Sequence, residues 1–260
     1  MAVYLYATAA ITSATADQAE PFIVFHDLKD AFSQVLRSNP EALGVGEYHP
    51  TESAPAADPA IKFFADPAVL NLLKQHRYSD LVIETWTTDG KCHEEKVIMN
   101  KLDRPDNIIA KIDRLIRNSK NTAINPHIMK ISCSDFNLIL IGPEIVDYPG
   151  LLSLMREKMM QNAQGLLAKK SKFVLYGGAL TNDLFPNPGD RNFTYGEQLA
   201  QATINRYVEV DLLVPEFIQN DEGIKKQSWY KTYLKSAPKN KVIMFNPKPN
   251  QFIIILPRTT

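Results

Sequence analysis

The chain has 260 residues, of which 45% are hydrophobic, enough to bury a sizeable core in one large domain or one domain with a cap. Lys plus Arg equals Asp plus Glu at 29 each. No net field therefore draws in nucleic acid or an anionic membrane, and no run approaches the roughly eighteen apolar residues of an integral span.

The opening "MAVYLYATAAITSATA" is uncharged and built of small residues, and "ATAD" resembles an export cleavage site, although no Lys or Arg stands near the start. Residues 1–22 read as a leader or signal-like segment, with a frayed leader or an added N-terminal strand as the alternatives. An export signal implies a periplasmic or cell-envelope address against a cytoplasmic one. Residues 23–260 read as a single α/β domain with helical insertions.

"LKDAFSQVLRSNP" (28–40) has helical spacing at Leu28, Phe32, Val35 and Leu36 and stops before Pro40. It leads to a first strand, "ALGVG" (42–46). Prolines then break residues 50–77 into short helices. "DLVIETW" (80–86) is the second strand. Helical blocks follow at "EEKVIMNKL" (94–102) and "DNIIAKIDRLIRNSK" (106–120), the latter with Ile108, Ile109, Ile112, Leu115 and Ile116 on one stripe and Asp106 as cap.

"HIMKISC" (127–133) is the third strand, and "SDFNLILIGPEIVDY" (134–148) reads as a helix after it, although "NLILIG" is strand-like. The longest helical pattern is "GLLSLMREKMMQNAQGLLAKK" (150–170). "KFVLYGGA" (172–179) is the fourth strand, "YGEQLAQATIN" (195–205) a helix and "RYVEVDLLVP" (206–215) the fifth strand. "KVIMF" and "QFIIIL" are joined by the short "NPKPN", which favours a hairpin. The alternation predicts an α/β fold: a mainly parallel Rossmann-like sheet flanked by helices, with a C-terminal antiparallel edge hairpin.

In such sheets ligands bind beyond the carboxyl ends of the strands. Gly46, Glu47, His49 and Glu52 follow the first strand, Glu84 ends the second, and Thr181, Asn182 and Asp183 follow the fourth. Glu209 and Asp211 alternate with Val208, Val210 and Leu212, an odd choice if the fifth strand is buried on both faces. A Glu beside a His can orient the imidazole and raise its basicity, making a general base. His49 with Glu47 and Glu84 is the candidate catalytic set, and Glu52, Thr181, Asn182 and Asp211 are candidates for binding substrate. The competing reading is structural: Glu47 caps the next helix and Glu84 is a satisfied partner. His26, His76, His127 and His93 are weaker candidates and read as structural or surface residues, with a place overhanging the site as the alternative for His93.

Zinc sites usually recruit two or more His or Cys, so no metal centre is signalled; His49 and Glu84 are the ligands if there is one. HExxH, GxSxG, Walker and GxGxxG motifs are absent. Cys92 and Cys133 both fall beyond strand ends on one rim and are candidates for a disulfide, which an oxidising compartment would favour.

"GVGEYHPTE", "VIETW" and "YGGALTND" together resemble the superfamily that joins erythromycin esterases, ChaN-type haem-binding proteins and TIKI/TraB proteins, and look most like its uncharacterised bacterial ChaN-like members. That group carries a GExH or GxxH sequence after the first strand, a Glu ending a later strand, and a second GxxH. Thr181 stands where the second His belongs. The resemblance implies a modified Rossmann-like sheet with its site at the carboxyl edge. It implies three chemistries: metal-free hydrolysis by a GExH base, metal-dependent peptide cleavage, or haem binding. The resulting expectation is a hydrolase of an ester or amide bond, acting on a small-molecule or peptide substrate with His49 as base. The alternatives are a haem- or divalent-metal-binding protein, or an inactive binding member lacking the second His.

Overall fold

The computed structural model describes residues 20–48, 57–87, 108–142, 145–236, 238 and 240–259. Its frame is an eight-stranded sheet in the order β1-β9-β10-β8-β2-β7-β3-β4. The strands are β1 (Phe22–Phe25), β2 (Ala42–Glu47), β3 (Tyr78–Thr87), β4 (Asn125–Lys130), β7 (Lys172–Gly178), β8 (Tyr207–Leu213), β9 (Val242–Lys248) and β10 (Gln251–Ile255). β10, β8, β2, β7, β3 and β4 pair in parallel, and β9 runs antiparallel to both β10 and β1. The expected mainly parallel α/β sheet and the C-terminal hairpin are both present, and β1 adds a short edge outside that hairpin.

Local chemistry accounts for the helices on one face. Helix α1 (Leu28–Val35) starts where the Asp27 side chain accepts from Asp30 N, and Leu28, Ala31, Phe32 and Val35 form its buried stripe. Helix α2 (Ala60–Phe64) is short. Helix α3 (Pro67–Gln75) combines an Asp66 cap with a proline in its first turn, where the missing N–H costs nothing. Helix α4 (Ile108–Asn121) buries Leu115 against the same core, which also takes Leu43, Val45, Leu81, Ile83, Val174, Tyr176, Val208 and Val210 from the sheet. The block at 94–102 lies outside the described residues.

On the opposite face helix α5 (Cys133–Leu138) opens with a reciprocal capping box between Ser132 and Asp135. The reading of 134–148 as helix is corrected here. α5 ends at Leu138, and Leu140–Gly142 (β5) pairs antiparallel with Ile145–Val146 (β6), while Asp147 N donates to Ile139 O at 2.7 Å. The β-branched and Gly-Pro composition of "LILIGPEIV" suits a turn of two strands better than it suits continued helix. Helix α6 (Tyr148–Ala168) sets Met155, Met159, Met160, Ala163 and Leu166 against Val82, Phe173 and Leu175. After β7 come α7 (Ala179–Asn182) and α8 (Gly196–Ala202). Short helices α9 (Pro215–Ile218) and α10 (Glu222–Lys225) and helix α11 (Ser228–Ser236) close the β9–β10 end, where Trp229, Tyr230 and Phe245 pack together. Among the described residues no helix is long and apolar enough to cross a membrane.

Candidate functional site

Strand alternation sorts the candidate residues onto two faces. Leu43 and Val45 point into the core beneath α1 to α4, and Glu47 follows on that face. It is 3% exposed, and its Oε2 accepts from Tyr176 OH at 2.7 Å and from Ile61 N at 3.0 Å. Ile61 lies in the first turn of α2, whose own Pro59 supplies no side-chain cap, so Glu47 does that work from the neighbouring strand. Lys111 of α4 lies near enough to feel Glu47: burial lowers its pKa, while the charges of Asp58 and Glu47 oppose the shift. One residue further on, Tyr48 donates to Asp221 Oδ2 at 2.6 Å, tying the exit of β2 to the start of α10.

Glu84 belongs to the other face, with Val82. Its Oε2 accepts from Gly178 N at 2.7 Å and from Thr181 Oγ1 at 2.8 Å. The Thr181 hydroxyl also lies 2.9 Å from Gly178 O and donates its single proton to one acceptor at a time. Glu84 therefore clamps the turn from β7 into α7. Its carboxylate occupies the space over Gly177, where an added Cβ would stand 2.0 Å from Glu84 Oε2.

Register carries this arrangement across the sheet. Gly46 lies beside Gly177 on β7 and Asp211 on β8, and Gly44 lies beside Glu209. A Cβ at Gly46 would come within 2.6 Å of Ala179 Cα and 2.8 Å of Asn182 Oδ1, and one at Gly44 within 2.0 Å of Tyr207 OH. These three glycines form a floor on which polar groups of β3, β8 and α7 rest. Tyr207 OH donates to Asn182 O at 2.7 Å, fixing the end of α7 over that floor.

Two acids of β8 are sunk into it. Glu209 is 1% exposed; its Oε2 accepts from Leu184 N at 2.7 Å and its Oε1 from Gln251 Nε2 at 3.0 Å. Burial nevertheless pushes its pKa up to about 7, with Asp183 adding to the rise and those hydrogen bonds opposing it. Burial pushes Asp211 well above the usual carboxyl range, and repulsion from Glu209 and Asp183 pushes the same way, while the facing Asn182 amide pulls back. Asp183 is raised by burial against the opposing pull of Phe185 N and Lys248. Burial and mutual repulsion both work against ionising the two acids of β8 at once.

The unspent polar capacity is concentrated here. Asn182, fully buried, has neither Nδ2 nor Oδ1 hydrogen-bonded, and Asp211 Oδ1 and the Tyr195 hydroxyl are likewise buried without a hydrogen-bond partner. Tyr195 precedes α8, and its backbone N–H donates to Thr181 O at 2.9 Å. Burial raises its pKa well above 10, reinforced by the charges of Glu84, Glu209 and Asp211, with Thr181 opposing. Glu84 and Asp211 are partly exposed.

The structure thus brings Glu84, Thr181, Asn182 and Asp211 together, with Glu209 and Tyr195, and sets Glu47 on the opposite face of the sheet. His49, Glu52, Cys92 and His93 lie outside the described residues. Cys133, at the start of α5, is disulfide-bonded. His127 sits at the far end of the sheet, its Nε2 2.7 Å from Asp80 Oδ1. Tyr195 was not singled out from sequence, where "FTYGE" carries no signal. The glycine phases could have been noticed, because "LGVG" and "YGG" clear space on the same face as the acids of "VEVD". Among the described residues no group of three or more His, Cys, Asp or Glu is arranged to hold a metal ion. Glu84, the described member of the expected ligand pair, is engaged by two donors and faces a threonine rather than an imidazole.

No protein-family model matches the chain, and neither does any curated protein. The solved structure of the type III effector HopBA1 is similar, with a TM-score of 0.50 at 10% identity, over 94% of this chain and 100% of that one. An uncharacterised protein from Bacillus cereus aligns with a TM-score of 0.35 at 10% identity, over 87% of this chain and 90% of that one. The first likeness extends to the fold alone.

Proposed function

We propose that the protein is a hydrolase of an ester or amide bond, of the erythromycin esterase, ChaN and TIKI group, working at the carboxyl edge of its sheet. The observation that carries this reading is the polar cluster over Gly46, where Asp211, Asn182 and Tyr195 keep buried polar atoms without partners while Glu84 and Glu209 accept from backbone donors. Buried polar groups in native proteins are usually satisfied, so a cluster of unpaired ones marks a place where a ligand or ordered water completes the set.

Acyl hydrolysis requires a base for water, donors for the oxyanion and an acid for the leaving group. Asn182 Nδ2 and the Tyr195 hydroxyl supply donors with no protein acceptor. Asp211, whose pKa burial raises well above the usual carboxyl range, supplies the acid. Glu84 and Thr181 hold the β7–α7 turn that aims Asn182. His49, two residues beyond Glu47 in the sequence, takes the role of base.

The test is hydrolysis of p-nitrophenyl esters and of a chromogenic peptide-amide panel by the wild type, His49→Ala and Asp211→Asn. Each substitution is expected to lower kcat by roughly 10²- to 10⁴-fold with the fold intact. Full activity in a folded His49→Ala protein removes the base assignment, and full activity in Asp211→Asn removes the acid.

A further inference from the structure

We infer that the amino edge of the sheet docks on an anionic lipid membrane, with the side chain of Ile204 entering the bilayer interface. The inference is independent of the proposed reaction. The chain's balance of 29 basic against 29 acidic residues conceals an uneven distribution. Strands β8, β2, β7, β3 and β4 lie side by side and run parallel, so the turns that lead into them form one row. In that row stand Arg206 before β8, Lys170 and Lys172 at β7, Arg77 before β3 and Lys120 before β4, with Lys74 on the last turn of α3. Arg77, Lys120, Lys170 and Arg206 are exposed. The acids beside them are engaged, Glu41 with Arg206 and Asp80 with His127 at 2.7 Å. The ammonium of Lys172 registers the excess: its pKa is lowered first by burial and then by the positive charges of Arg77 and Arg206, against a smaller pull from Glu41. Such a face meets anionic headgroups as attraction.

Helix C-termini alone would draw cations to this edge, but they do not account for Ile204. It is 83% exposed and stands at φ 53° in the turn between α8 and β8. That left-handed position after a helix normally falls to glycine or asparagine, and a β-branched side chain there is strained. The turn is held from both sides, since Asn205 N donates to Ala200 O at 2.7 Å and Asn250 Nδ2 donates to Asn205 O at 3.2 Å. An apolar side chain is thus fixed outward two residues from Arg206. Arg77 at φ 70° and Lys170 at φ 55° occupy the same left-handed position before β3 and β7, so the three side chains leave from equivalent turns along the row. Aliphatic surface beside cations is what seats a protein at a membrane interface, whereas single-stranded nucleic acid is gripped by aromatic faces. The polar cluster over Gly46 lies toward the opposite ends of these strands, so docking leaves that end of the sheet facing solvent.

The probes are vesicles of phosphatidylcholine alone and of phosphatidylcholine mixed with phosphatidylserine, sedimented with the full chain, and a DNA duplex titrated in parallel. The mixed vesicles are expected to bind in preference to both others, and binding is expected to fall as salt rises past physiological ionic strength, where the screening length is about 8 Å. Asparagine suits a left-handed residue, so Arg77→Asn, Lys170→Asn and Ile204→Asn remove charge or apolar surface without straining their turns. Each charge removed is expected to weaken vesicle binding roughly fivefold. Ile204→Asn is expected to weaken it roughly tenfold while leaving Tm unchanged or higher. Absence of binding to the mixed vesicles, equal binding to phosphatidylcholine alone, equal or tighter binding to DNA, or unchanged affinity in the folded asparagine variants overturns the inference. Hydrolysis of p-nitrophenyl esters in solution is expected to be the same in all three variants as in the wild type, which keeps this outcome separate from that of the proposed reaction.

Discussion

Replacing Gly177 by alanine tests whether the glutamate of β3 rests on the glycine floor. The new Cβ would stand 2.0 Å from Glu84 Oε2, 3.0 Å from its Cδ and 2.8 Å from its Cβ. The carboxylate can swing away but its Cβ belongs to the strand, so the clash is not fully relieved by a rotamer change. Overpacking of this kind costs about 1–3 kcal/mol. The displaced Oε2 also abandons Gly178 N, a hydrogen bond to a charged acceptor worth about 1.5–3 kcal/mol, whereas Thr181 keeps Gly178 O as an alternative acceptor. Together the loss is about 3–5 kcal/mol, which for a chain of this size lowers Tm by roughly 6–20 °C. Urea unfolding of the wild type, Gly177→Ala, Glu84→Ala and the double variant forms a cycle. Because Glu84→Ala removes the overlapping carboxylate, the double variant is expected to lose at least about 1 kcal/mol less than the sum of the singles. Additivity within about 0.5 kcal/mol would refute the placement of Glu84 over Gly177.

Two further acids make opposite predictions for pH. Burial pushes Asp80 up, but hydrogen bonds from Ser79 and His127 outweigh it and leave the pKa lowered from 3.8, so its contribution is present above that value and is lost as pH falls through the folded pKa. Asp80→Asn is expected to cost about 1–2 kcal/mol at pH 7 by urea unfolding and nothing at the acid end, and equal loss at both ends would refute it. Glu209 is raised from 4.5 to about 7, so the stability it gives below 4.5 declines as pH rises between those values, by roughly 2–3 kcal/mol. Glu209→Gln, which cannot ionise, is expected to gain in urea midpoint relative to wild type between pH 4 and pH 8, and a flat difference would refute the buried ionisation.

The strands that build the sheet's centre were legible because β2 and β7 are largely apolar runs bounded by turn residues, as strands covered on both faces must be, and β8 keeps an apolar frame around its two acids. Residues 134–148 misled because a capped helical start and a β-rich continuation share one short stretch, and hydrogen bonding across the hairpin decides its end. The polar residues at the strand ends were visible singly, but their grouping depends on phase. Glu47 and Glu84 each close a strand, yet one shares its face with Val45 and the other with Val82. Tyr195 reaches the polar cluster through the path of a connection that no periodicity encodes. Asp211 and Glu209 drew notice as acids in a buried strand, and their partners on the glycine floor come from residues far away in the chain.

Strand order also has a consequence for biogenesis. β2 and β3 are made early but never touch as partners, because β7 inserts between them. Tyr176 meets Glu47 across 129 residues of sequence, and Gly178 meets Glu84 across 94. Until residues near 178 leave the ribosome, the early strands present open edges on both sides of a missing centre, a state exposed to wrong pairing. The central sheet is therefore closed late, and the polar cluster later still, once β8 brings Glu209 and Asp211 beside Gly44 and Gly46. A nascent chain stalled before β7 has neither.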